Sequence, residues 1–150
     1  MDAEQISLHA PNPAEIWRTP IAADVYKSME KWLAWSLVGE RAVTYFSIYQ
    51  GNRIVGQIFL HDGDSQTGES LIGYHLFQPQ DRGRGIGTQA LTLLLKYAVE
   101  QTNFTQLVII TDVDNQASRR IAEKCGFVYS GPAREGLPLI CYQWHRNELR

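Results

Sequence analysis

The sequence predicts an α/β domain built on a mixed sheet, and three observations carry that prediction. Residues 43–60 are rich in β-branched and aromatic side chains, and Gly51-Asn52 interrupts them as a two-residue hairpin turn would. Leu91, Leu94, Leu95 and Ala98 keep the rhythm of a buried helical stripe. That stripe separates a strand closed by Pro79 from the nearly all-apolar run 107–110, an order that joins two parallel strands through a right-handed helical crossover. The 150 residues, 44% hydrophobic and 20% charged, suffice for about one core, so residues 1–150 are read as a single domain.

Taken in order, residues 1–14 read as an extended arm holding the proline-rich stretch 11–13, and 15–18 as a short first strand ended by Pro20. Val25, Met29, Trp32, Leu33 and Ser36 recur at helical spacing and predict a helix over about 24–37. Strands follow at 43–50 and 53–60. The polar, glycine-containing segment 61–68 is a predicted loop, and 70–77 a third strand, so that three antiparallel strands run in succession. A helix over 86–101 leads to a buried strand at 107–113. A second helix at 115–125 has Asp114 or Asn115 to cap its start and Gly126 to end it in the left-handed conformation. Residues 127–130 and 139–145 are the last strands.

Composition excludes several functional classes. With 14 Lys and Arg against 16 Asp and Glu the formal charge is -2, so no global positive field draws in nucleic acid or an anionic membrane. Apolar runs fall far short of the roughly 20 residues of a spanning helix. Asp2 and Glu4 stand where a secretory signal carries basic residues, so the expected location is cytoplasmic. Cys125 and Cys141 form no paired metal motif and His9, His61, His75 and His145 are scattered, so no metal is expected.

Chemistry concentrates in Arg82-Gly83-Arg84-Gly85-Ile86-Gly87, between a strand end and a helix start. Glycine there lets backbone approach a ligand closely, and free amide N–H groups with the helix dipole offer roughly half a positive charge to an anion. Arg82 and Arg84 add full charges, which favours a phosphate cradle over an ordinary glycine-rich turn. No Gly-Lys-Ser/Thr follows, which argues against a nucleoside triphosphate loop. The G-x-G-x-G spacing after an antiparallel meander argues against a dinucleotide fingerprint.

Arg82, Gly85 and Gly87 resemble the pyrophosphate motif of the GNAT superfamily of acyl-CoA-dependent N-acyltransferases. The segment from Asn115-Gln-Ala-Ser118 to Lys124-Cys125-Gly126-Phe127 is similar to that superfamily's Asn-to-Gly-Phe helix, and Ile72-Gly73-Tyr74 resembles the branch acting on ribosomal-protein N-termini and many small amines. The resemblance spans about residues 18–145. It implies a splayed, predominantly antiparallel sheet of six or seven strands flanked by about four helices. It further implies acetyl-CoA as cosubstrate, a small-molecule amine or protein N-terminus as acceptor, and a monomer or homodimer. The strands 70–77 and 107–113 would diverge around the pantetheine arm, pairing its amides with backbone at Leu76 and Phe77. Arg82 and Gly83, with the N–H groups of Arg84, Gly85, Ile86, Gly87 and Thr88, would hold the pyrophosphate. Asn115 and Ser118 would sit near the thioester, although helix capping is an equal role for Asn115.

Attack of an amine on a thioester needs a neutral amine. An alkylamine has a pKa of about 10, whereas a thiol of about 8.5 leaves readily, so the base matters more than the acid. The tyrosine acid of many relatives falls here at Ala122, and the glutamate base of others at Leu71. Glu69 and His75 share the strand face of Leu71 by the period-two rule and are the candidate catalytic residues. Tyr74 points to the opposite face, toward the core, and Cys125 has no sequence-near base to activate it. The loss of both ionisable groups motivates an alternative, a non-catalytic acyl-CoA-binding or sensing module; a phosphate-binding interaction domain is a third. The acceptor pocket is expected from the first helix, with Tyr26, Trp32 and Trp35 as an aromatic wall, and from the loops around 61–68 and 130–138.

Overall fold

A computed structural model describes residues 5–146. Its elements run β1 (Ile6–His9), α1 (Pro13–Ile16), α2 (Ala23–Val38), β2 (Thr44–Gln50), β3 (Arg53–Asp64), β4 (Glu69–Leu76), α3 (Ile86–Gln101), β5 (Gln106–Asp112), α4 (Gln116–Lys124), β6 (Val128–Pro132) and β7 (Leu139–His145). The strands form one seven-stranded sheet in the order β1-β2-β3-β4-β5-β7-β6. Every pairing is antiparallel except β4 with β5, which α3 connects. The predicted fold class is therefore the observed one.

Each face of the sheet carries its own apolar layer. The stripe Ala90, Leu91, Leu94, Leu95 and Ala98 of α3, with Ala122 of α4, covers one face against Ile58, Ile72, Leu107 and Ile109. Val25, Met29, Trp32 and Leu33 of α2 cover the other against Tyr45, Phe59 and Phe77. Each Val, Leu, Ile, Met or Phe side chain so buried contributes about 1.5–3 kcal/mol. The C-terminal end of α3 is fixed by Arg146, whose guanidinium donates to the carbonyls of Ala98, Val99, Thr102 and Phe104 at 2.7–3.2 Å.

Three local readings are corrected. Residues 13–16 are a helical turn, not the start of a strand at 15–18: Pro13 sits at its first position and Asn12 Oδ1 accepts from the Glu15 N–H. The described part of the 1–14 arm supplies strand β1, whose register Ile6↔Gln50 to His9↔Ser47 places it at the sheet edge. The loop expected at 61–68 is strand as far as Asp64, with a bulge between His61 and Asp64, and only the remaining residues turn.

The sheet splits where the resemblance implied. Parallel pairing of β4 with β5 runs from Glu69↔Gln106 to Ile72↔Ile109 and stops, while β4 continues to Leu76 and β5 to Asp112. The Phe77 N–H donates to Val55 O at 2.8 Å on the β3 side. By strand alternation the backbone groups of Tyr74 and Leu76 then face the gap.

Candidate active site

A cavity of about 810 Å³ passes through this split. At one end it is floored by the start of α3 and by α4, and at the other by β3, β4 and α2.

The end where the sequence predicts a phosphate cradle is built from conformation as much as from charge. Gly83 and Gly85 have φ of +72° and +82°, and Gly85 is the N-cap of α3 with no side-chain cap. The first helical bond in this turn runs from the Gln89 N–H to Gly85 O at 3.1 Å, so the N–H groups of Ile86, Gly87 and Thr88 precede the helical ladder. A Cβ on Gly87 would lie 2.6 Å from Ile121 Cδ1, so glycine lets α3 and α4 approach closely here. Arg82 lines the cavity and pairs with Asp24 at 3.7 Å. Arg84 instead leans toward Asp81 at 3.6 Å and does not line it. Asp81, 1% exposed, accepts both arms of the Arg53 guanidinium at 2.9 and 3.1 Å, tying the cradle loop to β3. Arg120 and Lys124 of α4 also line the cavity. Neither is assigned a charge role by the sequence reading, although their i, i+4 spacing on one face of α4 is the available signal.

Along the slot, Leu76 lines the cavity and Phe77 does not. Both Phe77 backbone groups are used inside the fold, since its carbonyl accepts from the Ala22 N–H at 2.8 Å, so of the expected pair only Leu76 faces the gap. Asn115 caps α4, its Oδ1 accepting from the Ser118 N–H at 3.1 Å, and it also lines the cavity. Ser118 lines the cavity beside Tyr74, with 2.9 Å between their hydroxyl oxygens. Tyr74 was read as core; its ring packs there, but its hydroxyl reaches the slot, and burial pushes its pKa up to about 12. Ala122 is fully buried. Cys125 stands outside this cavity with its sulfur 3.6 Å from Thr88 O, and burial raises its thiol pKa, the opposite of an activated nucleophile.

At the α2 end the two candidate bases part. His75 lines the cavity; Glu69 does not, because six residues of strand carry it about 20 Å from His75. Both ring nitrogens of His75 are engaged: Gln57 Nε2 donates to Nδ1 at 2.8 Å, and Nε2 faces Ser28 Oγ at 3.4 Å. Burial, reinforced by Lys31 and Arg82, lowers its pKa and keeps the ring neutral. Trp32 and Leu71 line this end, whereas Trp35 and Tyr26 do not. His61, placed in a loop by the sequence reading, enters the cavity from β3. Among the described residues no group of three or more His, Cys, Asp or Glu could hold a metal ion, and no helix is long and apolar enough to cross a membrane.

A sheet split beside an uncapped helix start, with a cavity crossing from one face to the other, defines an acyltransferase-type fold. The chain belongs to the GNAT acetyltransferase family: the family's domain model, "Acetyltransferase (GNAT) domain", matches residues 1–128. A Bacillus subtilis protein named "Putative ribosomal N-acetyltransferase YdaF" is 36% identical over 90 residues, 60% of this chain and 48% of that protein. A Drosophila melanogaster protein named "Alpha/beta-tubulin-N-acetyltransferase 9" is 35% identical over 74 residues, 47% of this chain and 37% of that protein. The chain thus spans about half the length, or less, of these curated relatives. Among solved structures, spermidine N-acetyltransferase from Vibrio cholerae in complex with CoA and spermine superposes with a TM-score of 0.76 at 14% identity, covering 95% of this chain and 96% of that one. The ribosomal L7/L12 α-N-protein acetyltransferase RimL in complex with CoA gives 0.69 at 20% identity, covering 93% of each. At these identities the likeness is one of fold.

Proposed function

We propose that this protein is an acyl-CoA-dependent N-acyltransferase that moves an acetyl group from acetyl-CoA to a primary amine, on a protein N-terminus or a small molecule, by direct attack in a ternary complex. The observation that carries the reading is the continuity of one cavity from the uncapped start of α3, through the β4–β5 split, to the α2 face. A module that only binds or senses the acyl carrier has no need of an opening on the far side.

The residues present fit such a ligand. A Cβ built on Gly83 meets nothing within 4 Å, and on Gly85 only Gln89 Nε2 at 3.9 Å, so the cradle is open. The N–H groups of Ile86, Gly87 and Thr88, with Gly85, would hold the pyrophosphate, and Arg82, Arg120 and Lys124 would supply charge. Leu76, with Tyr74, offers backbone pairing to the pantetheine amides, and Asn115 and Ser118 flank the slot. Acetyl-CoA brings the acyl group already activated as a thioester. The Ser118 hydroxyl, hydrogen-bonded with Tyr74 Oη, would donate to the departing sulfur, and backbone N–H groups facing the split would polarise the carbonyl. The formal charge of -2 offers no field to draw in nucleic acid, and the same reading takes the enzyme as cytoplasmic and as a monomer or homodimer.

Thermal unfolding with acetyl-CoA, CoA, ATP and NAD in parallel tests the reading. Acetyl-CoA at about 100 times its Kd should add about 2.7 kcal/mol of stability, or about 5–10 °C for a chain of this size. Equal shifts with ATP and NAD would contradict it.

A further inference from the structure

We infer that His61, set by Asp62, is the base that takes the proton from the acceptor amine; this rests on the transferase reading above.

The placement comes from the bulge in β3. Neighbouring strand residues normally point to opposite faces. Between His61 and Asp64 the register shifts, and Asp62 adopts a left-handed φ of +50°, which folds its carboxylate back beside the preceding ring. His61 Nδ1 lies 2.6 Å from Asp62 Oδ2. Arg41, itself left-handed at φ +54°, holds the same carboxylate with a two-pronged contact, Nε to Oδ1 at 3.1 Å and Nη2 to Oδ2 at 2.5 Å. An ionised carboxylate only accepts, so Nδ1 carries the proton and the lone pair of the neutral ring is on Nε2. No hydrogen bond within the described residues occupies Nε2, in contrast to His75, whose two nitrogens are both engaged. The side chain, 12% exposed, lines the cavity, with the Trp32 ring centroid 4.4 Å from its own.

Its position across the sheet is equally specific. His61 is the direct partner of Leu71 in the β3–β4 register, one residue before β4 leaves β5 at Ile72. Opposed residues share a face with Cβ atoms about 4.5–5.5 Å apart. The imidazole therefore stands beside the opening on the α2 side, where an amine meets the thioester. The groups facing it are Asp62 and Arg41 beside it, Lys31 from α2, and His75 across Phe59. Burial and the two cations lower its pKa while Asp62 opposes them, and the ring stays neutral at pH 7.

His61 Nε2 takes one proton from the ammonium and passes it to solvent through the cavity mouth. The freed nitrogen lone pair forms the C–N bond as the C–S bond breaks, the electron pair departing on sulfur. The second nitrogen proton ends on that sulfur, giving amide, thiol and one released proton.

Two readouts test this. In long-range ¹H–¹⁵N spectra of the ligand-free protein, His61 should be neutral at pH 7 with its proton on Nδ1; a proton on Nε2, or a charged ring, overturns the inference. In thiol-release assays with an alanine-leading tetrapeptide and with spermine, His61→Gln should lower kcat about 100-fold and leave CoA affinity within about twofold. Asp62→Asn suits the left-handed backbone and removes the anion, so the acidic limb of the kcat profile should move to lower pH. Glu69→Gln, outside the cavity, should leave the rate unchanged. A His61→Gln variant as active as the parent, or an Asp62→Asn profile that does not move, overturns the role of this pair alone. Absence of thiol release by the parent with either amine overturns the transferase reading and the inference together.

Discussion

Gly85→Glu separates the cradle from the fold. At φ +82° a residue bearing a Cβ costs about 1–2 kcal/mol. No steric penalty adds to this, since the nearest atom to a Cβ there is Gln89 Nε2 at 3.9 Å. A carboxylate at the start of α3 returns about 0.3–1 kcal/mol through the helix dipole. The net loss is about 1 kcal/mol, which lowers Tm by about 2–4 °C and leaves the protein folded. For the ligand the sign reverses, because the carboxylate fills the field and the N–H groups that would receive the pyrophosphate. A loss of at least about 100-fold in CoA affinity, equivalent to about 2.7 kcal/mol, is expected. Gly85→Ala carries the same backbone strain without the charge and should lose no more than about tenfold. Calorimetric titration of CoA into both variants, with far-UV circular dichroism to establish folding, measures the difference. A folded Gly85→Glu that binds CoA within about threefold of the parent would refute the placement of the cradle.

Asp81→Asn removes an acceptor from the Arg53 fork at a buried position and should cost about 1.5–3 kcal/mol, read from urea midpoints; a change under about 0.5 kcal/mol would show that the fork does not brace the cradle loop. The folded-state pKa values of His61 and His75 lie below the unfolded value of about 6.5, so the unfolded chain binds more protons in that range. Their contribution is fully present above about pH 6.5 and is lost as pH falls through the lowered folded values, and His75→Gln should flatten a plot of urea midpoint against pH. Ser118→Ala should lower kcat by about tenfold or more with little change in CoA affinity, as measured by initial rates and titration; an unchanged kcat would remove Ser118 from the proton path to sulfur.

What the sequence made legible was local in origin. The glycine turn at the start of α3 could be read because glycines, arginines and the start of the apolar stripe lie within a few residues, and each acts through its own backbone or charge. The α4 cap was read for the same reason, with Asn115 bonding three residues ahead. Residues 15–18 misled because the Asn12-Pro13 start signal outweighs the short apolar alternation that follows. Strand β1 pairs about 40 residues away with β2, and nothing within Ile6–His9 names that partner. Phe77 was assigned to the slot because its bond to Ala22 is equally remote. The His61–Asp62 arrangement was hidden by the bulge, since a period-two reading sends adjacent side chains to opposite faces. Leu71 showed that a base was missing from β4, but only the strand register shows which residue of β3 stands beside it.

Initial rates of thiol release, with acetyl-CoA and an alanine-leading tetrapeptide or spermine varied together, test the central claim most directly. Direct transfer within one continuous cavity predicts release that depends on the amine, with reciprocal plots that intersect. Parallel lines would instead signify an acylated protein intermediate, and release that does not depend on the amine would contradict the proposed transfer altogether.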